Sequence, residues 1–168
     1  MKAFSNPDDL VDEVDEAKSH IISRVIFWRK KWAEFRPPLG ISWNWTAVPF
    51  NTDSASKVPL EDHGLYSFVL CPGIASHPKN NFVLYIGKAD KTTLRQRFHH
   101  YLLEKKKVKR PHICYALNKY EGHLEFCFTK VGSQQDIQAA EDALLVALMP
   151  PYNEDFPASV SQIIVGLR

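Results

Sequence analysis

Apolar residues recur at steps of three and four from near the start of the chain: Leu10, Val14, Ala17, Ile21, Val25, Trp28, Trp32 and Phe35. That period predicts one amphipathic helix over about 7–35, opened by Asn6 as N-cap with Pro7 in the first turn and stopped by "RPP" at 36–38. Scattered Ser, Asn and Asp with Pro49 and Pro59 then read as an irregular connector. From His63 the period falls to two. "HGLYSFVL" and "NFVLYIG" predict two strands, separated by "CPGIASHPKN", which is too long for a tight hairpin. A helix capped by Thr92 or Thr93 follows, with Leu94, Phe98 and Leu102 facing inward. "HICYALNKY" fits either a strand or a helix and is taken as a short helix because it follows Pro111, and "HLEFCFTKV" reads as a third strand. A last helix starts from the Ser133–Asp136 capping pattern and stops at Pro150–Pro151. The expected fold is therefore α+β: a small three-stranded antiparallel sheet flanked by helices and preceded by a long N-terminal helix. Residues 1–60 form the extension and connector, and 61–168 the domain.

Two polar anomalies interrupt this pattern. Glu141 falls one helical turn after Ile137, inside a stripe of Ile137, Ala140, Leu144 and Leu148. A carboxylate there either snorkels to water, pairs with an arginine, or binds a hard cation, since burying it alone costs several kcal/mol. The second anomaly is the pair of tyrosines beside glycines, Tyr66 in "GLY" and Tyr85 in "YIG". They either fill a hairpin core or line one wall of a site. On the intervening helix, Arg97 shares a face with Tyr101, so a guanidinium fork stands where it could meet a phosphodiester.

Charge sharpens the picture. The 168 residues carry a net charge of only +2. Residues 79–110, however, hold ten cations against two acids, while six acids crowd into residues 8–16. Lys105, Lys106, Lys107, Lys109 and Arg110 form a block that is either a solvated helix end or a surface for the phosphates of a polyanion. The seven histidines show no H-x-x-x-H pair, and the three cysteines no metal-type spacing, which argues against zinc. No apolar run approaches the roughly 20 residues of a membrane span, and the acidic N-terminus has no secretory pattern. With the odd cysteine count, this leads to the expectation of a cytoplasmic protein without membrane contact.

"GLY" at 64–66, "YIG" at 85–87, then Arg97, Glu141 and Asn153 resemble the GIY-YIG nuclease superfamily. "YIGKAD…LRQRFHHY" and the "PPYN" ending give a local likeness to the nuclease half of the bacterial excision-repair endonuclease. The likeness covers about residues 63–156. Leu65 stands where the family has Ile, the loop between the strands is long, and two extra residues precede Leu94. The resemblance implies a Mg²⁺- or Mn²⁺-dependent endonuclease, a hydrolase of DNA phosphodiesters with duplex DNA as the expected partner. In that reading Glu141 holds the metal and Arg97 stabilises the scissile phosphate. Tyr66 and Tyr85 position the attacking water, one of them as base if a cation such as Lys88 lowers its pKa. Tyr101 hydrogen-bonds to the phosphate or to another phenol, and Asn153 braces the site. His99 and His100 are read as either DNA-facing or plain surface residues. The alternative is a non-catalytic nucleic-acid- or partner-binding module on a nuclease fold. For the N-terminal helix, packing on the domain stands beside a homodimer or protein partner.

Overall fold

The computed structural model describes residues 29–36, 41–74, 81–107 and 109–166. Most of the expected N-terminal helix, and residues 75–80 of the loop between the first two predicted strands, lie outside these. The described part of that helix is α1 (Arg29–Glu34). The connector that follows is more ordered than its composition suggests. It contains strand β1 (Thr46–Pro49) and a 3₁₀ helix (Thr52–Lys57), the latter capped by Asn51, whose side chain accepts from the Ser54 amide.

Strands β2 (Gly64–Leu70), β3 (Phe82–Ala89) and β4 (Leu124–Lys130) follow the period-two segments, so the sheet has four strands in the order β1-β4-β2-β3, all pairs antiparallel. Three strands were expected; the fourth comes from the connector. Between β3 and β4 lie α2 (Leu94–Glu104) and α3 (Pro111–Lys119), and after β4 come α4 (Gln134–Leu148) and α5 (Ala158–Gly166).

Local chemistry sets the helix ends. Thr93 and Gln96 form a reciprocal capping box, with Thr93 Oγ1 accepting from the Gln96 amide at 3.2 Å and Gln96 Oε1 from the Thr93 amide at 2.9 Å. Ser133 caps α4 one way only, its Oγ accepting from the Asp136 amide at 3.2 Å and donating to Asp136 Oδ2 at 2.6 Å. Pro111 opens α3, where a missing N–H costs nothing. At its far end α4 closes on Met149 in the left-handed conformation (φ 44°), just before the two prolines.

One sheet face carries Tyr66, Phe68, Phe126 and Phe128 beneath Leu94, Phe98 and Tyr101 of α2 and Ile113 and Leu117 of α3. Its rings meet mostly edge to face, an arrangement worth about 0.5–1.5 kcal/mol per pair beyond the area buried. Arg95 ties α2 to the 3₁₀ segment through the carbonyls of Val58 (2.6 Å) and Ser56 (2.9 Å). The other face packs Leu65 and Val131 against Ile137 and Ala140 of α4, with Ile41, Trp43 and Leu144 alongside. Leu148, expected in the buried stripe of α4, is 41% exposed, and Leu145 and Ala147 are buried instead. Phe35 meets Trp43 edge-on at 6.2 Å, so the end of the N-terminal helix lies on the domain. No helix among the described residues is long and apolar enough to cross a membrane.

Candidate active site

Strand β3 is an edge strand, and the candidate residues gather along it. Tyr85 pairs with Phe68 and Val83 with Val69, which leaves Leu84 as the extra residue of a β-bulge. The segment after α4 covers this edge. Tyr152 donates its amide to the Leu84 carbonyl at 3.0 Å, and Asn153 clasps Ile86 twice: Oδ1 accepts from the Ile86 amide at 2.9 Å and Nδ2 donates to its carbonyl at 2.8 Å. A buried amide side chain thus takes the place of the missing neighbouring strand, which gives Asn153 the bracing role expected of it.

Tyr66 faces Gly87 across the β2–β3 pair, and that register explains the glycine. A Cβ on residue 87 would stand 2.5 Å from the Tyr66 hydroxyl and 2.9 Å from the Tyr85 ring. The phenol of Tyr66 therefore lies over bare backbone. It shares a 2.9 Å hydrogen bond with the Tyr101 hydroxyl, and both rings are buried. Tyr85 completes the triangle, its ring centroid 6.4 Å from that of Tyr66 and 6.1 Å from that of Tyr101. Of the three, Tyr85 alone keeps appreciable exposure and lines the cleft described below.

Burial first, then the neighbouring phenols, hold the Tyr66 and Tyr85 hydroxyls well above the usual tyrosine range. Both are protonated at neutral pH. The expectation that one acts as a base through Lys88 is therefore corrected. Lys88 points to the opposite side of β3, where its Nζ stands 2.9 Å from Glu141 Oε2 and donates to Gln138 Oε1. The cation that acts on Tyr85 is Arg110.

Glu141 is mostly buried. Desolvation raises its pKa, against the lowering effect of Lys88, with Asp142 and Asp90 adding to the rise. Its partner is thus a lysine and not the arginine that the sequence left open. Glu141, Lys88, Tyr85, Arg110 and Asn153 line one cleft of about 400 Å³, together with Asp142, Glu154 and Asp155. Among the described residues no three His, Cys, Asp or Glu side chains converge to hold a metal. A single half-buried carboxylate suits a hydrated Mg²⁺ or Mn²⁺, which keeps most of its waters, and does not suit zinc.

Arg97 is placed differently from expectation. It does not line the Glu141 cleft. It lies near the Tyr66 phenol and the Asp90 carboxylate, and it lines a second cleft of about 310 Å³ with His100, Lys107 and Lys109. Arg110 lines both clefts. The basic block is accordingly divided. Lys105 pairs with Glu121, Lys106 is exposed, and Arg110 turns inward. The Arg110 guanidinium lies 4.9 Å from the Tyr101 ring centroid, with Nη1 donating to the Tyr101 hydroxyl at 3.4 Å.

Glu104 sets that turn. Its Oε1 accepts from the Arg110 amide at 2.8 Å and its Oε2 stands 3.7 Å from Nη2. Burial works against the Arg110 charge, but Tyr101, Tyr85 and Glu104 outweigh it and raise the pKa. Arg110 was expected as a member of the basic block and not beside the tyrosines, while its anchor Glu104, Gln138, and the His112–Glu154 pair (3.1 Å) were missed in the sequence. The available signal was Glu104, one of only two acids in the basic stretch. His99 and His100 are exposed, as expected. The chain matches no protein-family model, no curated protein and no solved structure, so the site is read from its own geometry.

Proposed function

We propose that the chain is a divalent-metal-dependent endonuclease of the GIY-YIG type that hydrolyses phosphodiesters in DNA. The observation that carries this reading is Glu141: a carboxylate held half-buried on a rigid helix, in a cleft it shares with two cations and a protonated phenol. A structural ion pair needs no cleft, and a metal–phosphate site needs all of these groups. Bound at Glu141, Mg²⁺ or Mn²⁺ supplies Lewis-acid stabilisation of the leaving oxygen.

The chain's own groups do the rest. Glu141 would hold the cation in place of its Lys88 partner, and the Lys88 ammonium would then be available to an anion in the cleft. Arg110 neutralises charge that builds on the phosphoryl oxygens, and Arg97 acts from the adjoining cleft. Tyr85 orients the attacking water by hydrogen bonding; the water's proton passes to bulk solvent as its oxygen bonds to phosphorus, and the departing oxygen takes up a proton from solvent as its bond to phosphorus breaks. Tyr66 and Tyr101 hold Tyr85 and Arg110 in place through their shared hydrogen bond and ring contacts. Asn153 keeps the β3 edge, and with it Tyr85 and Lys88, at a fixed height in the cleft.

The test is incubation of the purified chain with plasmid, single-stranded DNA or RNA in Mg²⁺, Mn²⁺ or EDTA. Metal-dependent nicking of the plasmid is expected. Glu141→Gln should lower the single-turnover rate by at least about a hundredfold while the protein stays folded. No cleavage of any substrate with either metal would end this reading and leave the non-catalytic module. Cleavage by Glu141→Gln at the wild-type rate in saturating metal would remove Glu141 from the site.

A further inference from the structure

We propose that the second cleft is a phosphate subsite that grips the DNA backbone next to the scissile linkage, with Arg110 as the post between the two; its choice of ligand rests on the nuclease reading. The two clefts differ in charge. Four carboxylates, Glu141, Asp142, Glu154 and Asp155, line the first, so a phosphate enters there only once a cation is bound. The second draws Arg97 and His100 from α2 and Lys107, Lys109 and Arg110 from the turn after it. Its single acid, Glu104, is already occupied with the amide and guanidinium of Arg110. Four permanent cations against one paired carboxylate leave an anion site that needs no metal.

A second observation points the same way. The Arg97 Nε is buried and has no hydrogen-bond partner. Leaving this donor unpaired is costly, and the same guanidinium side chain lines the cleft, so it has donor capacity that the protein does not use and an anion could. Arg110 lines both clefts, so consecutive phosphates of one strand passing this post would meet the metal site on one side and the basic cleft on the other. Lys105, spent on Glu121, has no part in this surface.

The test is binding of a fluorescein-labelled DNA duplex of about 20 base pairs by anisotropy, in EDTA, across a salt series. The wild-type chain should bind without metal. Replacing both exposed lysines in Lys107→Gln/Lys109→Gln should weaken binding and reduce the steepness of log K against log salt by about 2, roughly 0.9 for each phosphate no longer neutralised. Lys57→Gln, a cation of the 3₁₀ helix that lines neither cleft, should leave affinity and slope unchanged. A double variant indistinguishable from wild type overturns the subsite, as does a wild-type chain that fails to bind in EDTA. The two readings fail separately. Slope-dependent binding without cleavage in Mg²⁺ or Mn²⁺ defeats the nuclease alone, and cleavage with an unaltered slope in the double variant defeats the subsite alone.

Discussion

Glu141 occupies a place where a carboxylate is costly, and the cost has a measurable pH signature. Burial, net of the attraction of Lys88, holds its folded-state pKa above the usual carboxylate range. The native chain therefore binds this proton more tightly than the unfolded chain does. Native stability falls as pH rises from the unfolded value through the folded one, and the cost is fully present above the folded value. Glutamine carries no such cost, and Lys88, itself partly exposed, keeps Gln138 and water. Glu141→Gln should thus gain stability relative to wild type as pH rises above the ordinary glutamate value of about 4, read from urea midpoints at each pH. A gap that stays constant or reverses would mean that the Lys88 pair outweighs desolvation. Loss of cleavage together with gained stability is the pattern of a residue kept for chemistry. Glu141 was legible in the sequence because a charge broke a helical stripe. Arg110 was not, since its approach to Tyr101 depends on a turn pinned by Glu104, six residues away, and nothing in a run of like charges marks one member as turned inward.

At the level of elements, the edge of β3 is the part whose shape the site depends on. An unpaired edge invites another strand, and here "PPYN" covers it. Asn153→Ala would strand the Ile86 amide and carbonyl together. We expect a loss of about 1–3 kcal/mol for each group left buried and unpaired, and faster amide exchange at Ile86. Unchanged exchange at Ile86 would show that the brace lies elsewhere. Cleavage in this variant should fall together with the local order of β3. Three of the four strands and the helices α2, α3 and α4 were readable because periods of two and of about three and a half alternate cleanly there. Strand β1 was hidden: it has four residues, ends on a proline and buries only Val48, so no alternation can show. Helix α5 was missed because Val160 and Ile164 are its only buried residues, one turn apart, after a stretch rich in turn-formers.

On the scale of the molecule, the sheet does not begin at residue 61. Val48 of β1, Phe50, Ala55 and Val58 all lie in the core beside Phe98 and Phe126, and Pro49 to Thr46 line the outer edge of β4. A chain starting at residue 61 would lose those side chains, open a void against Phe98, and leave the β4 edge bare. Loss of two large core side chains alone costs about 3–5 kcal/mol for Phe50 and about 2 kcal/mol or more for Val58, a large part of a typical domain's roughly 5–15 kcal/mol. A chain starting at residue 41 keeps all of them, together with Ile41 and Trp43 on the opposite face. We therefore expect the 41–168 chain to unfold cooperatively and to run as a discrete species by size exclusion. The 61–168 chain should aggregate or melt without a transition. Equal stability and equal solubility of the two would show that the connector contributes nothing to the core. In that case β1 would be dispensable decoration on a three-stranded sheet.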